Sequence, residues 1–172
     1  MRHVAGSLRF VLPWALLVVV PRLASAEAPL APSPAFRPFS DVKDVCPTCD
    51  PERFDRIALK SGGTVKAWVV AENPIFYVLE RFGELRAAMR DQVSDVTLSK
   101  QRSRGERHTI SESYKDQILL DDGMVFAGTI TEERAESGMY RLRSAIGNVD
   151  HLLYRARILR LFKGETEVPM KR

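Results

Sequence analysis

The chain states one pattern twice: RIALKSGGTVKAWVVAEN from Arg56 returns as QILLDDGMVFAGTITEE from Gln117. Repetition over such a distance implies one supersecondary unit used twice. Each copy has an apolar face to cover, which narrows the architecture before any residue acquires a role. Aligned with small gaps, Leu59 matches Leu120, Gly63 matches Gly123, Val65 and Ala67 match Val125 and Ala127, and Glu72 matches Glu132. Tyr77 and Leu79 then match Tyr140 and Leu142, and Gly83 matches Gly147. The shared positions are turn glycines and alternating apolar residues, the ones that strand pairing constrains.

Short runs rich in Val, Ile, Tyr, Phe and Thr, broken by glycine and acidic turns, predict strands throughout both copies. In the first copy they fall at Arg56–Lys60, Thr64–Glu72, Ile75–Phe82, Glu84–Met89 and Asp95–Ser99, with a tight helical turn over Arg90–Val93. In the second they fall at Gln117–Leu120, Met124–Thr131, Gly138–Ser144, Asn148–Tyr154 and Ile158–Lys163. The expected organisation is a leader (1–26), a Pro-rich linker (27–54), a first unit (55–99), a basic connector (100–115), a second unit (116–164) and a basic tail (165–172).

An opening strand ending in LKSGG, a long second strand TVKAWVVAEN and the continuation FYVLERFGELRAAMRDQVSDVTL together resemble the five-stranded small β-barrel of Sm-like and Src-homology-3-like domains. The resemblance covers about 45 residues of each unit. It implies an all-β fold of two tandem five-stranded small β-barrels, as in uncharacterised exported bacterial proteins. That superfold hosts many unrelated functions and supplies no activity by itself. The RNA-contacting residues of the Sm branch are absent from the sequence.

The first 26 residues have the parts of a secretory signal: Arg2, His3 and Arg9, the apolar run Phe10–Val20, and the small-residue ending Ala24-Ser25-Ala26. A membrane anchor is the other reading, but the run spans 11 residues and contains Pro13, whereas a bilayer core needs roughly 20. The formal net charge of +4 belongs largely to this leader. Without its Arg2, Arg9 and Arg22 the chain holds 23 basic against 22 acidic side chains, a net of +1. An exported, nearly neutral protein is a poor nucleic-acid binder. Basicity persists locally: Tyr140–Arg172 carries eight Lys and Arg against Asp150, Glu165 and Glu167.

Six prolines between Glu27 and Pro51 oppose helix and central strand, so an extended spacer is expected there. The connector KQRSRGER (100–107) reads as a solvated charge run, or as a contact for an anionic surface. Cys46 and Cys49, the two cysteines of the chain, form Cys-Pro-Thr-Cys. In an exported protein a local disulfide is the first reading. Redox chemistry lacks the strand-to-helix setting that lowers a thiol pKa, and zinc would need two further ligands from a partner. Asp50 stands where c-type haem attachment requires His.

No nucleophile-base pair, oxyanion motif or phosphate loop is present in the sequence, and none calls for a cofactor. His108 and His151 are isolated, and Asp121-Asp122-Gly123 is turn chemistry. The expected function is therefore non-enzymatic docking or assembly with a protein of the periplasm or envelope, the chain being periplasmic or secreted, or anchored by an uncleaved leader. Its binding residues are read as Trp68 and Phe76, with Arg141, Arg143, Arg155 and Arg157 steering an acidic partner. Trp68 aligns with Gly128, so the tryptophan is not a requirement of the repeat. Membrane contact through the leader or the basic segments is an accessory expectation. A thiol or metal accessory acting through Cys46 and Cys49 is the rival.

Overall fold

The computed structural model describes residues 33–48, 51–100 and 112–170. The leader, Cys49 and the connector 101–111, with His108, lie outside the described residues. The described fold is all-β: two antiparallel sheets, one of five strands and one of six. The first comprises β1 (Asp55–Leu59), β2 (Thr64–Glu72), β3 (Phe76–Arg81), β4 (Glu84–Met89) and β5 (Val93–Thr97). The second comprises β6 (Asp116–Leu120), β7 (Val125–Arg134), β8 (Met139–Ser144), β9 (Asp150–Tyr154), β10 (Ile158–Lys163) and the two-residue β11 (Thr166–Glu167).

Strand order is β4-β3-β2-β1-β5 in the first sheet and β9-β8-β7-β6-β10 in the second, with β11 added outside β10. The same order twice demonstrates the duplication, and the irregularities repeat with it. β2 bulges at Val70 and β7 at Thr131, while β1 with β5 and β6 with β10 slip at Ser94 and Leu159. The turn 90–92 before β5 has its counterpart in the 3-10 helix Arg155–Arg157 before β10. A bulge adds local twist, so it bends both second strands at one place.

Register corrects the sequence alignment by one residue along the second strand. Asp55 opposes Ala67 and Asp116 opposes Gly128, so Ala67 corresponds to Gly128, Trp68 to Thr129 and Gly62 to Gly123. Glu72 opposes Tyr77 and Glu133 opposes Tyr140, which makes Glu133, not Glu132, the counterpart of Glu72. Both Gly62 and Gly63 have positive φ, 95° and 86°, and either satisfies a glycine match.

Each unit is latched by a buried aspartate at its first strand. Asp55, fully buried, accepts from the Val69 amide at 2.8 Å and the Ser99 amide at 2.8 Å. Asp116 accepts from the Ile130 amide at 2.8 Å and the Gly164 amide at 3.3 Å. The carboxyl thus joins the bend of the second strand to the chain leaving the fifth, satisfying backbone donors that the bulge and the strand end release.

Three apolar clusters hold the molecule. One face of the first sheet buries Ile57, Ala67, Leu79 and Ala88, and the corresponding face of the second buries Ile118, Tyr140, Leu142, Leu153 and Leu161. A third cluster is shared. Val70, Phe76, Val78, Ala87 and Met89 of the first sheet pack on Leu119, Val125, Ala127 and Phe162 of the second. Phe76 and Phe162 meet edge to face, with centroids 5.7 Å apart. At its margin, buried Asn73 donates to buried Gln117 at 2.6 Å.

Residues 33–40, expected as a spacer, are extended but docked as a strap on the first sheet. Phe36 and Phe39 cover its own cluster, with the Arg81 guanidinium 4.6 Å from the Phe39 ring centroid. Arg86 donates to the Pro38 carbonyl and Gln92 to that of Pro34. Val168 and Met170 play the covering part in the second unit.

Glu84 binds both the hydroxyl and the amide of Ser40. The Ser40 hydroxyl, then its amide and the nearby Arg86 and Arg81, hold the Glu84 carboxyl below its ordinary value of 4.5. A depressed pKa stabilises the folded state in full above the ordinary value, and that contribution disappears as pH falls through the folded one. Acidification from about pH 6 to about pH 3 should therefore lower the hydrogen-exchange protection factor of the Ser40 amide more than that of the β3 amides. Equal losses would mean that Glu84 does not hold the strap.

Candidate functional site

The six residues expected to bind a partner do not form one surface. Phe76 is wholly buried and makes the junction between the sheets, which corrects its assignment to an exposed patch. Its position faces the second sheet, a contact that strand alternation within one unit does not reveal. Trp68 is half-buried, packed against the shared cluster and edge-on to Phe54 at 5.2 Å.

Arg141, Arg143 and Arg157 are engaged by the chain's own carboxylates. Arg141 donates to Glu132 at 3.0 Å and Arg143 to Asp150 at 2.9 Å, while Arg157 reaches Asp122 at 2.7 Å and Asp121 at 3.1 Å. Asp150 is held below the usual carboxylate range first by Arg143, and Glu132 by Arg134 and then Arg141. The basic stretch is largely neutralised where it is exposed. Cys46 is not a free thiol, and the other cysteine, Cys49, lies outside the described residues. Among the described residues no three His, Cys, Asp or Glu side chains gather as metal ligands, and no helix is long and apolar enough to cross a membrane.

Register exposes a site that the sequence reading missed. The face of β3 and β4 that enters the shared cluster carries Phe76, Val78, Ala87 and Met89, each less than 9% exposed. The corresponding positions on β8 and β9 are Met139, Arg141, Leu152 and Tyr154. There Leu152 is 50% and Tyr154 60% exposed. The sheets thus pack head to tail: the β3–β4 face of the first covers the β6–β7–β10 face of the second. Among the described residues no element covers the β8–β9 face, which ends on an edge strand.

At the opposite free end, the first unit presents Arg56, Ala58, Thr64, Lys66 and Thr97 where the second buries Gln117, Leu119, Val125, Ala127 and Phe162. Glu52 bridges Arg56 and Lys66 across that surface. One end is polar and the other retains apolar side chains.

Beside β9 lies a groove of about 690 Å³, lined by Asp121, Ser137, Gly138, Tyr154, Arg155, Ala156, Ile158, Leu159 and Met170. Comparison with protein-family models, curated proteins and solved structures finds no match to this chain.

Proposed function

We propose that the chain is a non-enzymatic docking module of the cell envelope, in which two small β-barrels of the Sm-like and Src-homology-3-like kind form one body. The β8–β9 face receives a partner protein. The observation that carries this reading is the pair Leu152 and Tyr154, exposed at the positions where the first unit buries Ala87 and Met89. A partner suited to it offers a sheet face of small and aromatic side chains, as the second unit offers Leu119, Ala127 and Phe162 to the first. Tyr and Arg together, as at Tyr154 and Arg141, are the composition of partner-binding surfaces.

The bent second strand, the turn before the fifth and the strand order support the small-barrel reading, although among the described residues no ladder joins β4 to β5. The leader supports export, and the bonded state of Cys46 supports a Cys46–Cys49 bridge.

A photo-crosslinking amino acid at position 152, compared with one at position 64, tests the assignment in cells exporting the protein. Position 152 should yield a discrete adduct that excess unlabelled chain competes away, and position 64 should not. No adduct at 152, or equal labelling at both positions, overturns the proposal.

A further inference from the structure

The duplication supplies an internal control for one arginine. In the first unit Arg90 is fully occupied: Nε donates to the Asn73 carbonyl at 2.6 Å, one Nη to the Tyr77 hydroxyl at 2.7 Å and the other to Glu72 at 2.9 Å. Its guanidinium also stacks 4.2 Å from the Tyr77 ring centroid. The corresponding side chains in the second unit are Arg155, Tyr140 and Glu133. The backbone is the same in both, with the Arg90 amide bonded to the Ile75 carbonyl and the Arg155 amide to that of Gly138.

The side chains differ. Glu133 accepts instead from Lys163 at 2.7 Å and from the Tyr140 hydroxyl at 3.1 Å. Lys163 stands where the first unit has Leu98, so a new cation has drawn the carboxylate away. Asp121, which also lines the groove, is held by Arg157. Arg155 consequently lines the groove with its acidic neighbours already engaged. Its Nε is the one buried side-chain nitrogen or oxygen among the described residues without a hydrogen-bond partner. A buried donor left unpaired is costly, and it marks a guanidinium that lacks the internal acceptors holding Arg90.

We propose that this groove binds a long-chain carboxylate, with the carboxylate on the Arg155 guanidinium and the alkyl chain along Tyr154, Ile158, Leu159 and Met170. A guanidinium takes a carboxylate through two parallel bonds, and the volume lies within the usual range for small-ligand sites. The apolar wall beside a single cation matches a monoanionic amphiphile rather than a polyanion. The groove shares Tyr154 with the docking face, but this inference is carried by Arg155 and does not depend on Leu152.

The test titrates the purified chain with dodecanoate below its micelle concentration and, in parallel, with dodecanol, following backbone amide shifts. Dodecanoate should shift Gly138 and Ala156 saturably and bind about tenfold more tightly than dodecanol, the scale of one charge-assisted bond. Arg155→Gln should reduce dodecanoate to the level of the alcohol. Lys163→Leu, which leaves the arginine in place and returns Glu133 to it, should do the same. Leu152→Asp, which alters the docking face but not the groove lining, should leave dodecanoate binding unchanged. Equal affinity for acid and alcohol, unaltered binding by Arg155→Gln, or shifts centred away from the groove would each overturn the proposal.

Discussion

Gly128→Ala is expected to destabilise the protein by about 3 kcal/mol or more, and to do so with a single added methyl. A Cβ built at Gly128 falls 2.0 Å from the Arg143 carbonyl oxygen, 2.9 Å from its carbon and 3.0 Å from the Ser144 Cα. All three are backbone atoms of the neighbouring strand β8, so no rotamer change relieves the contact. The strands must part, and the pairing of Gly128 with Ser144 and of Thr129 with Arg143 is lost with them. The duplication supplies a contrast, because the same position in the first unit is Ala67, fully buried and accommodated. Pairing of β2 with β3 starts one residue later, at Trp68 with Glu80, and the neighbouring strand therefore does not press on that Cβ. Urea unfolding of Gly128→Ala beside Ala67→Gly measures the difference. A loss below about 1 kcal/mol for Gly128→Ala would show that β8 yields easily.

Removal of either aspartate latch should cost a comparable amount. Asp55→Ala leaves the Val69 and Ser99 amides without their acceptor at a site closed to water. Two buried donors left unpaired, together with the void of the lost side chain, come to about 3 kcal/mol or more. Asp116→Ala strands the Ile130 and Gly164 amides, but Asp116 is slightly exposed, at 8%, and water can partly replace it. The expected order is therefore Asp55→Ala worse than Asp116→Ala. Both variants should unfold in one transition followed by any probe, because Phe76 and Phe162 tie the sheets into a shared core. Two separated transitions in Asp55→Ala would show that the second unit stands without the first.

Much of this architecture is written in the chain. Three of the ten strands expected from the sequence, Thr64–Glu72, Glu84–Met89 and Ile158–Lys163, coincide with β2, β4 and β10. Glycine turns and alternating apolar residues are local signals, and they mark such strands well. The register of the repeat is also legible in Asp55-x-Ile57-x-Leu59 and Asp116-x-Ile118-x-Leu120, which a match of turn glycines alone does not fix. Phe36 and Phe39 among the prolines were the sign that the strap is docked. Proline density reports the absence of helix and says nothing about burial.

The candidate site was much less visible. Phe76 and Leu152 are both apolar strand residues, and only the packing of one sheet on the other decides that the first is buried and the second exposed. Arg155 is likewise indistinguishable from Arg157 in the sequence. Their difference arises from Lys163 and Asp121, partners that folding brings together from distant segments.

Head-to-tail packing gives the molecule a direction that a two-fold arrangement would lack. Joining unlike faces has no natural stopping point, since each added copy presents again the face that accepted it. Here the series closes at its first member, where Thr64, Lys66 and Thr97 stand in place of Val125, Ala127 and Phe162, which the second unit buries. Burying these polar side chains against the β8–β9 face of another molecule would leave them unpaired, which disfavours such a contact. The lineage could lengthen by further duplication only at its carboxyl-terminal side. A handful of changes on β2 and β5 separates a capped two-unit body from a growing fibre.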